Sequence, residues 1–273
     1  MIKQFTYLSG IFFILIAFSA CEKVIPIDLA YSREAIVIEA IINNNQLPIT
    51  VLISKTTPYF GTNKSNPVSG AKVSARSEKG KAKYLIEKAP GIYELEKTIA
   101  LPGIWYYIDV EYDSKTYSAK SYLNEVVNIE EVGISYLDGF GVFDSGYKLN
   151  TYITDPENTV NYYKLKYYVN GKPVTEQGGI TLYSDHLFNG KPIGLGQRST
   201  VFQETDTVII ELQSIDKAAY DYFLTLENII GNDIMQTASP ANPISNFNNG
   251  ALGYFSAYTY DRKTVIIKDY INN

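Results

Sequence analysis

The chain has 273 residues, 45% hydrophobic and 19% charged, an ordinary globular balance that excludes wholesale disorder and collagen-like repetition. Its formal charge is −5 and no basic block offsets it, which argues against a dedicated nucleic-acid binder. One Cys excludes an intrachain disulfide and a cysteine-based zinc cluster, and one His excludes a histidine-rich metal site, so neither a metal nor a cofactor is expected.

The first informative segment is the N-terminus. Lys3 precedes an apolar run from Ile11 to Phe18, which is too short for a membrane span of ~20 residues but suits the h-region of a signal peptide. Ser19 and Ala20 follow, then Cys21. Small residues directly before Cys are what a lipoprotein signal peptidase requires, and the Cys thiol accepts the diacylglycerol. Residues 1–20 are therefore expected to be a lipoprotein signal peptide, with cleavage between Ala20 and Cys21 and lipid on Cys21. Phe18 stands where Leu is usual in such a motif. Several acyl chains on one residue, at ~0.8 kcal/mol per buried methylene, make a stable anchor. Residues 21–34 then form a lipidated tether. Glu22 just after Cys21 resembles a surface-export signal, with the periplasmic face of the outer membrane as the alternative.

Beyond the tether the chain is rich in strand formers, with 24 Tyr. Short strands are expected at Ile36 to Ile42, Ile49 to Ser54, Ala71 to Arg76, Lys83 to Glu87, Ile92-Tyr93, Trp105 to Tyr112 and Thr116 to Leu123. Pro90-Gly91 and Pro102-Gly103 mark turns between them. In Trp105 to Tyr112, Tyr106, Ile108, Val110 and Tyr112 point one way, with Asp109 and Glu111 on the other, so one face is core and one is solvent. This pattern over residues 35–123 predicts an immunoglobulin- or transthyretin-like β-sandwich. A hinge is expected at Asn124 to Asn128.

Over residues 129–273 a second β-rich domain is expected, mainly β with one docked helix. Its strands are Glu131 to Leu137, Leu149 to Thr154, Tyr162 to Val169, Thr207 to Gln213, Leu252 to Tyr260 and Thr264 to Lys268. Asn170-Gly171 is a hairpin signal. The helix spans residues 215–230, capped by Asp216, with Ala219, Phe223, Leu226 and Ile230 on one face and Gly231-Asn232 ending it.

The candidate sites are few. Tyr162, Lys164, Lys166 and Tyr168 share one strand face and suggest a surface contact platform for a glycan or protein partner, unless they merely cover the sheet. Asp185 and His186 are neighbours on an extended segment, so their side chains point apart, and no nucleophile elbow accompanies them. Asp138, Asp144, Asp155 and Glu157 do not follow the spacing of a calcium loop. Gly194-Leu195-Gly196 is too short to hold a nucleotide. Residues 242–258, rich in Asn, Gly and Tyr, suit either an adaptable contact surface or a tightly turned pair of strands. No catalytic residue is assigned, and the chain is expected not to be an enzyme.

The order of several motifs resembles the domain-of-unknown-function family 4249. They are Cys21-Glu22-Lys23-Val24-Ile25-Pro26-Ile27-Asp28, then Ser54-Lys55-Thr56-Thr57-Pro58-Tyr59-Phe60, Pro67 to Val73 and Gly91-Ile92-Tyr93. In the second half they are Asp155-Pro156-Glu157-Asn158, Asn161-Tyr162-Tyr163, Ser184 to Lys191, Asn242 to Asn246 and Gly250 to Tyr258. The resemblance implies a Bacteroidota outer-membrane lipoprotein with a β-sandwich in front, in the company of TonB-dependent receptors, and it carries over no catalytic residue. The expected function is an accessory subunit of a TonB-dependent transporter or similar outer-membrane complex in nutrient uptake. The partners are then the lipid bilayer, through acylated Cys21, and an outer-membrane barrel protein. The alternatives are a stand-alone surface lipoprotein that binds a glycan or peptide, and a scaffold in envelope assembly.

Overall fold

Strand β1 (Ile36–Asn43) buries Ile36, Ile38, Ala40 and Ile42 and leaves the residues between them half-buried. It pairs antiparallel with β2 (Ile49–Lys55), which buries Ile49, Val51 and Ile53 in the same way. This alternation is what a sheet covered on one face imposes. The computed structural model describes residues 34–45, 48–57, 66–96, 100–139, 144–175, 180–196, 200–231 and 242–271. The signal peptide, Ala20, Cys21, Glu22 and the tether as far as Arg33 lie outside the described residues, as does Asn232.

The front sandwich has two sheets. One runs β1, β2, β6 (Ile92–Leu95) and β5 (Ile86–Ala89). The other has the order β4 (Lys83–Tyr84), β3 (Lys72–Ser77), β7 (Ile104–Tyr112) and β8 (Lys115–Leu123). Ile38, Val51, Ile53, Tyr93, Ile108, Val110 and Leu123 meet between them in one core. The β7–β8 connection is a two-residue turn at Asp113 and Ser114, both with positive φ (50° and 57°), the conformation a tight hairpin needs.

Behind it, β9 (Glu131–Leu137), β10 (Gly146–Thr154) and β14 (Pro192–Gly196) form a three-stranded sheet. It packs on β11 (Tyr162–Val169) and β15 (Thr207–Ile215), with Leu149, Ile153, Tyr163, Leu165, Leu195, Val208 and Leu212 between the layers. β11 continues through the Asn170-Gly171 hairpin, with φ of 50° and 80°, into β12 (Lys172–Pro173), and also carries β13 (Ile180–Ser184). Helix α1 (Lys217–Gly231) lies on the outer face of this layer over Leu182 and Ile215. The chain is thus mainly β, a packed-sheet structure with one docked helix.

Three expectations change. The first is the domain boundary. β16 (Leu252–Ile266) is one strand of 15 residues, not two. Its first half pairs in parallel with β1, from Val37↔Leu252 to Asn43↔Tyr258, and its second half pairs antiparallel with β15. The result is one nine-stranded sheet shared by both cores. Phe247, Ala251, Phe255 and Ala257 belong to the front core, so the last third of the chain does not lie wholly in the rear module. The Asp261-Arg262-Lys263 triplet resembles a turn in sequence, but its charges are met inside the ladder. Asp261 accepts from the Ile129 amide at 2.8 Å, and Arg262 binds Glu211 opposite it.

The second concerns Asn124 to Asn128, which is not a free hinge. The Asn124 amide donates to the Ile215 carbonyl at 2.8 Å, the Thr259 hydroxyl donates to the Glu125 carbonyl at 3.0 Å, and Val127 is buried. The third is the end of the chain, where Ile267-Lys268 begins a short helix, α2 (Ile267–Ile271), instead of finishing a strand.

Gly253 shows why β16 begins as it does. It has φ +90°, and a Cβ there would sit 2.1 Å from the Ile38 carbonyl oxygen, so the close parallel approach of β16 to β1 requires glycine.

Candidate functional site

The site forms where α1 begins. Asp216 caps the helix, its Oδ1 accepting from the Ala219 amide at 2.9 Å. Its Oδ2 accepts from the Tyr122 amide at 3.0 Å, on the outer edge of β8. One carboxylate therefore holds the helix start against the front sandwich. Burial raises the Asp216 carboxyl above its ordinary value, while the two amides pull the other way. Lys217 pairs with Asp221 one turn later at 2.6 Å. The capped helix puts Tyr220 against Tyr162, with ring centroids 4.9 Å apart, and buries Ala219, Tyr222 and Phe223. Ile230, expected on the buried face, is 50% exposed.

A second wall comes from the solvent face of β7 and β8. Trp105 and Tyr122 are cross-strand partners in an edge-to-face contact, with centroids 5.3 Å apart. The exposed Lys120 places its ammonium 4.5 Å above the Trp105 ring. Between this wall and the helix lies a cleft with two lobes. The first, about 520 Å³, lies between Trp105, Tyr122, Asn124, Tyr162 and Lys217 and is mostly apolar. The second, about 400 Å³, is more polar and lies between Tyr162, Ser184, His186, Asn189, Lys217 and Tyr220. Val160, Tyr162 and Lys217 line both, so the lobes adjoin. Each falls in the ~300–1,000 Å³ range of small-ligand sites.

The floor of the second lobe is held by buried carboxylates. Asp185 begins a single 3-10 turn, Asp185–Leu187, and accepts from the Asn161 amide at 2.6 Å. Asp155 accepts a close hydrogen bond from the Tyr163 hydroxyl and another from the Gly190 amide at 3.0 Å. Burial and the Asp155 carboxylate drive the Tyr163 phenol well above its usual value. Both acids are therefore spent on the backbone and on Tyr163. His186 is exposed, while Asp185 is buried with its carboxylate turned to the Asn161 amide. Among the described residues no three acidic, His or Cys side chains are grouped to hold a metal ion.

The structure revises the β11 platform. Tyr162 is half-buried in the cleft, but Lys164 is only 7% exposed, with its ammonium 3.5 Å from the centre of the Phe223 ring under α1. Burial, with Lys166 adding to it and Glu211 opposing, brings that ammonium down to about 7. Lys166 and Tyr168 belong to a different cluster. There Arg262 places Nε and Nη2 at 2.7 and 2.5 Å from Oε2 of buried Glu211, and stacks its guanidinium over Tyr260 at 4.9 Å. The four residues share a strand face as expected, yet the helix splits that face and only Tyr162 enters the cleft.

The Asn-rich segment is a turned connection whose amides bond to the backbone. Asn246 exchanges two hydrogen bonds with Phe255, at 2.7 and 2.8 Å. Asn248 accepts from the Ser118 amide at 2.8 Å and Asn249 donates to the Thr116 carbonyl at 2.7 Å, both on the β8 edge. Trp105 is the residue that motif reading passes over. The alternation that sends Tyr106, Ile108 and Val110 inward sends Trp105 and Tyr107 outward, so its solvent-facing place is legible from parity alone.

The family model described as "Domain of unknown function (DUF4249)" matches residues 22–264. The chain belongs to this family. No curated protein sequence matches this DUF4249 chain. Among solved structures, a two fibronectin type-III domain segment from chicken tenascin is similar, with 16% identity, 67% of this chain and 91% of that chain covered, and a TM-score of 0.22. The family's description names no activity, so for this DUF4249 chain function is argued from the cleft and the N-terminal motif.

Proposed function

We propose that this DUF4249 chain is a lipid-anchored outer-membrane protein that binds its ligand without transforming it, as an accessory subunit of a TonB-dependent transporter or similar uptake complex. The observation that carries the binding role is the aromatic cleft. Trp105, Tyr122, Tyr162 and Tyr220 present half-buried ring surface, and the carboxylates that line the cleft are committed, Asp185 and Asp216 to backbone amides and Asp221 to Lys217. Rings of this kind give large contact area at low entropic cost. The anchoring role rests on Ser19-Ala20-Cys21 directly after the apolar run Ile11 to Phe18.

The test is to label intact cells with a membrane-impermeant probe and to recover the tagged full-length protein from a mild-detergent extract. The proposal predicts surface labelling and a stoichiometric barrel protein in the eluate. A protein that is shielded in intact cells and elutes alone would contradict it, leaving a periplasmic scaffold as the better account. Surface labelling with clean solo elution would favour the second reading, a stand-alone lipoprotein binding a glycan or peptide, which the cleft supports equally well.

A further inference from the structure

We propose that the cleft at the start of α1 takes a neutral saccharide chain, with sugar rings lying along Trp105 and Tyr162 and hydroxyls bonding at the Ser184, Asn189 and Lys217 rim. This inference rests on the binding role proposed above and names the chemical class of its ligand.

Three features of the cleft point to a saccharide. The first is the alternation of ring surface with hydrogen-bonding groups. One face of a pyranose carries axial C–H groups and packs on an aromatic ring, while its edge carries hydroxyls that both donate and accept. The first lobe supplies the rings, with Trp105 and Tyr122 on one side and Tyr162 on the other. The second supplies the polar rim, with Ser184, His186 and Asn189 beside the Tyr162–Tyr220 pair.

The second is charge. Lys217 is neutralised by Asp221 at 2.6 Å, and Asp185 and Asp216 are buried on backbone amides. Lys120, which lines neither lobe, rests on the Trp105 ring. Among the described residues that line the lobes, each Asp and Lys side chain is already engaged within the protein, so an ionic ligand would have to displace an existing partner to reach a counter-charge. A neutral ligand costs no desolvation of a full charge.

The third is backbone. An extended peptide binds most readily by adding a strand to a free sheet edge. The edge that borders the cleft is that of β8, and several of its outward groups are occupied. The Tyr122 amide donates to Asp216, the Ser118 amide to Asn248, and the Thr116 carbonyl accepts from Asn249. Side chains, not main chain, are what this cleft offers a ligand.

The protein reports on its own site, because Trp105 is the one Trp in the chain. The experiment follows Trp emission of the full-length protein in mild detergent while titrating four neutral hexasaccharides, an α-1,4-glucan, a β-1,4-glucan, a β-1,3-glucan and a β-1,4-xylan, and separately a pool of neutral hexapeptides. The expected result is a saturable change with at least one glycan. Affinity should weaken at least tenfold in Tyr162→Ala and measurably in Asn189→Ala, an exposed position whose change leaves the fold intact. Silence with all four glycans and a response to the peptides would overturn the saccharide assignment and leave the cleft as a binding site. Silence with glycans and peptides alike would overturn both. A glycan response that neither variant alters would place the binding elsewhere and overturn the assignment of the cleft.

Discussion

Lys164 is the residue most at odds with its place. A buried ammonium facing an aromatic ring gains from that ring, but it has lost most of its hydration. Its folded value is about 7 and its unfolded value 10.5, so between these the unfolded chain holds a proton that the native protein lacks. Stability from this group is therefore fully present above 10.5 and is lost as pH falls through about 7. Lys164→Met, which fills the same space without charge, is expected to be more stable than the parent at neutral pH and below. Its advantage should shrink as pH rises toward 10.5, read from urea midpoints across that range. A difference that does not change with pH would mean that the ammonium is solvated. That Lys164 shares a face with Tyr162 was legible from the strand period. That a helix covers it was not, because helix docking is a tertiary event that no local pattern records.

At the scale of elements, the strands that were legible are those whose sequence alternates an inward apolar set with a second, outward set. Glu131–Leu137 and Tyr162–Val169 are found with the expected bounds. β14 (Pro192–Gly196) was hidden by its own Pro and Gly residues, which ordinarily argue against a strand. Gly194 is there because the Tyr152 ring lies across it, and a Cβ would meet that ring at 2.9 Å. The helix was legible from its apolar period and from Asp216, but the second duty of Asp216, toward β8, was not. Asp216→Ala removes a cap worth ~1 kcal/mol and strands the buried-edge Tyr122 amide at a further ~1–3 kcal/mol. It is expected to lower stability in urea unfolding and, by loosening Tyr220 from Tyr162, to weaken whatever the cleft binds. Wild-type stability in this variant would mean that the helix is held by Ala219, Tyr222 and Phe223 alone.

At the scale of the molecule, composition and strand spacing were enough for the class, mainly β with one helix, but not for the way the halves join. The parallel pairing of β1 with β16 links residues more than two hundred positions apart, and local alternation carries no trace of such a partner. Phe255 and Ala257 therefore sit in a core that sequence order assigns to the other half. The same pairing leaves the β8 edge and the start of α1 side by side, and that junction builds the cleft. What takes the protein to its ligand is a separate claim, carried by Cys21. The most direct measurement is the intact mass of the protein extracted from its native membrane. The account predicts loss of residues 1–20 and a mass increment of a diacylglyceryl group plus an acyl chain on Cys21, both absent from Cys21→Ser. A chain that keeps Met1 to Ala20, or one cleaved without lipid, would contradict the anchored protein proposed here.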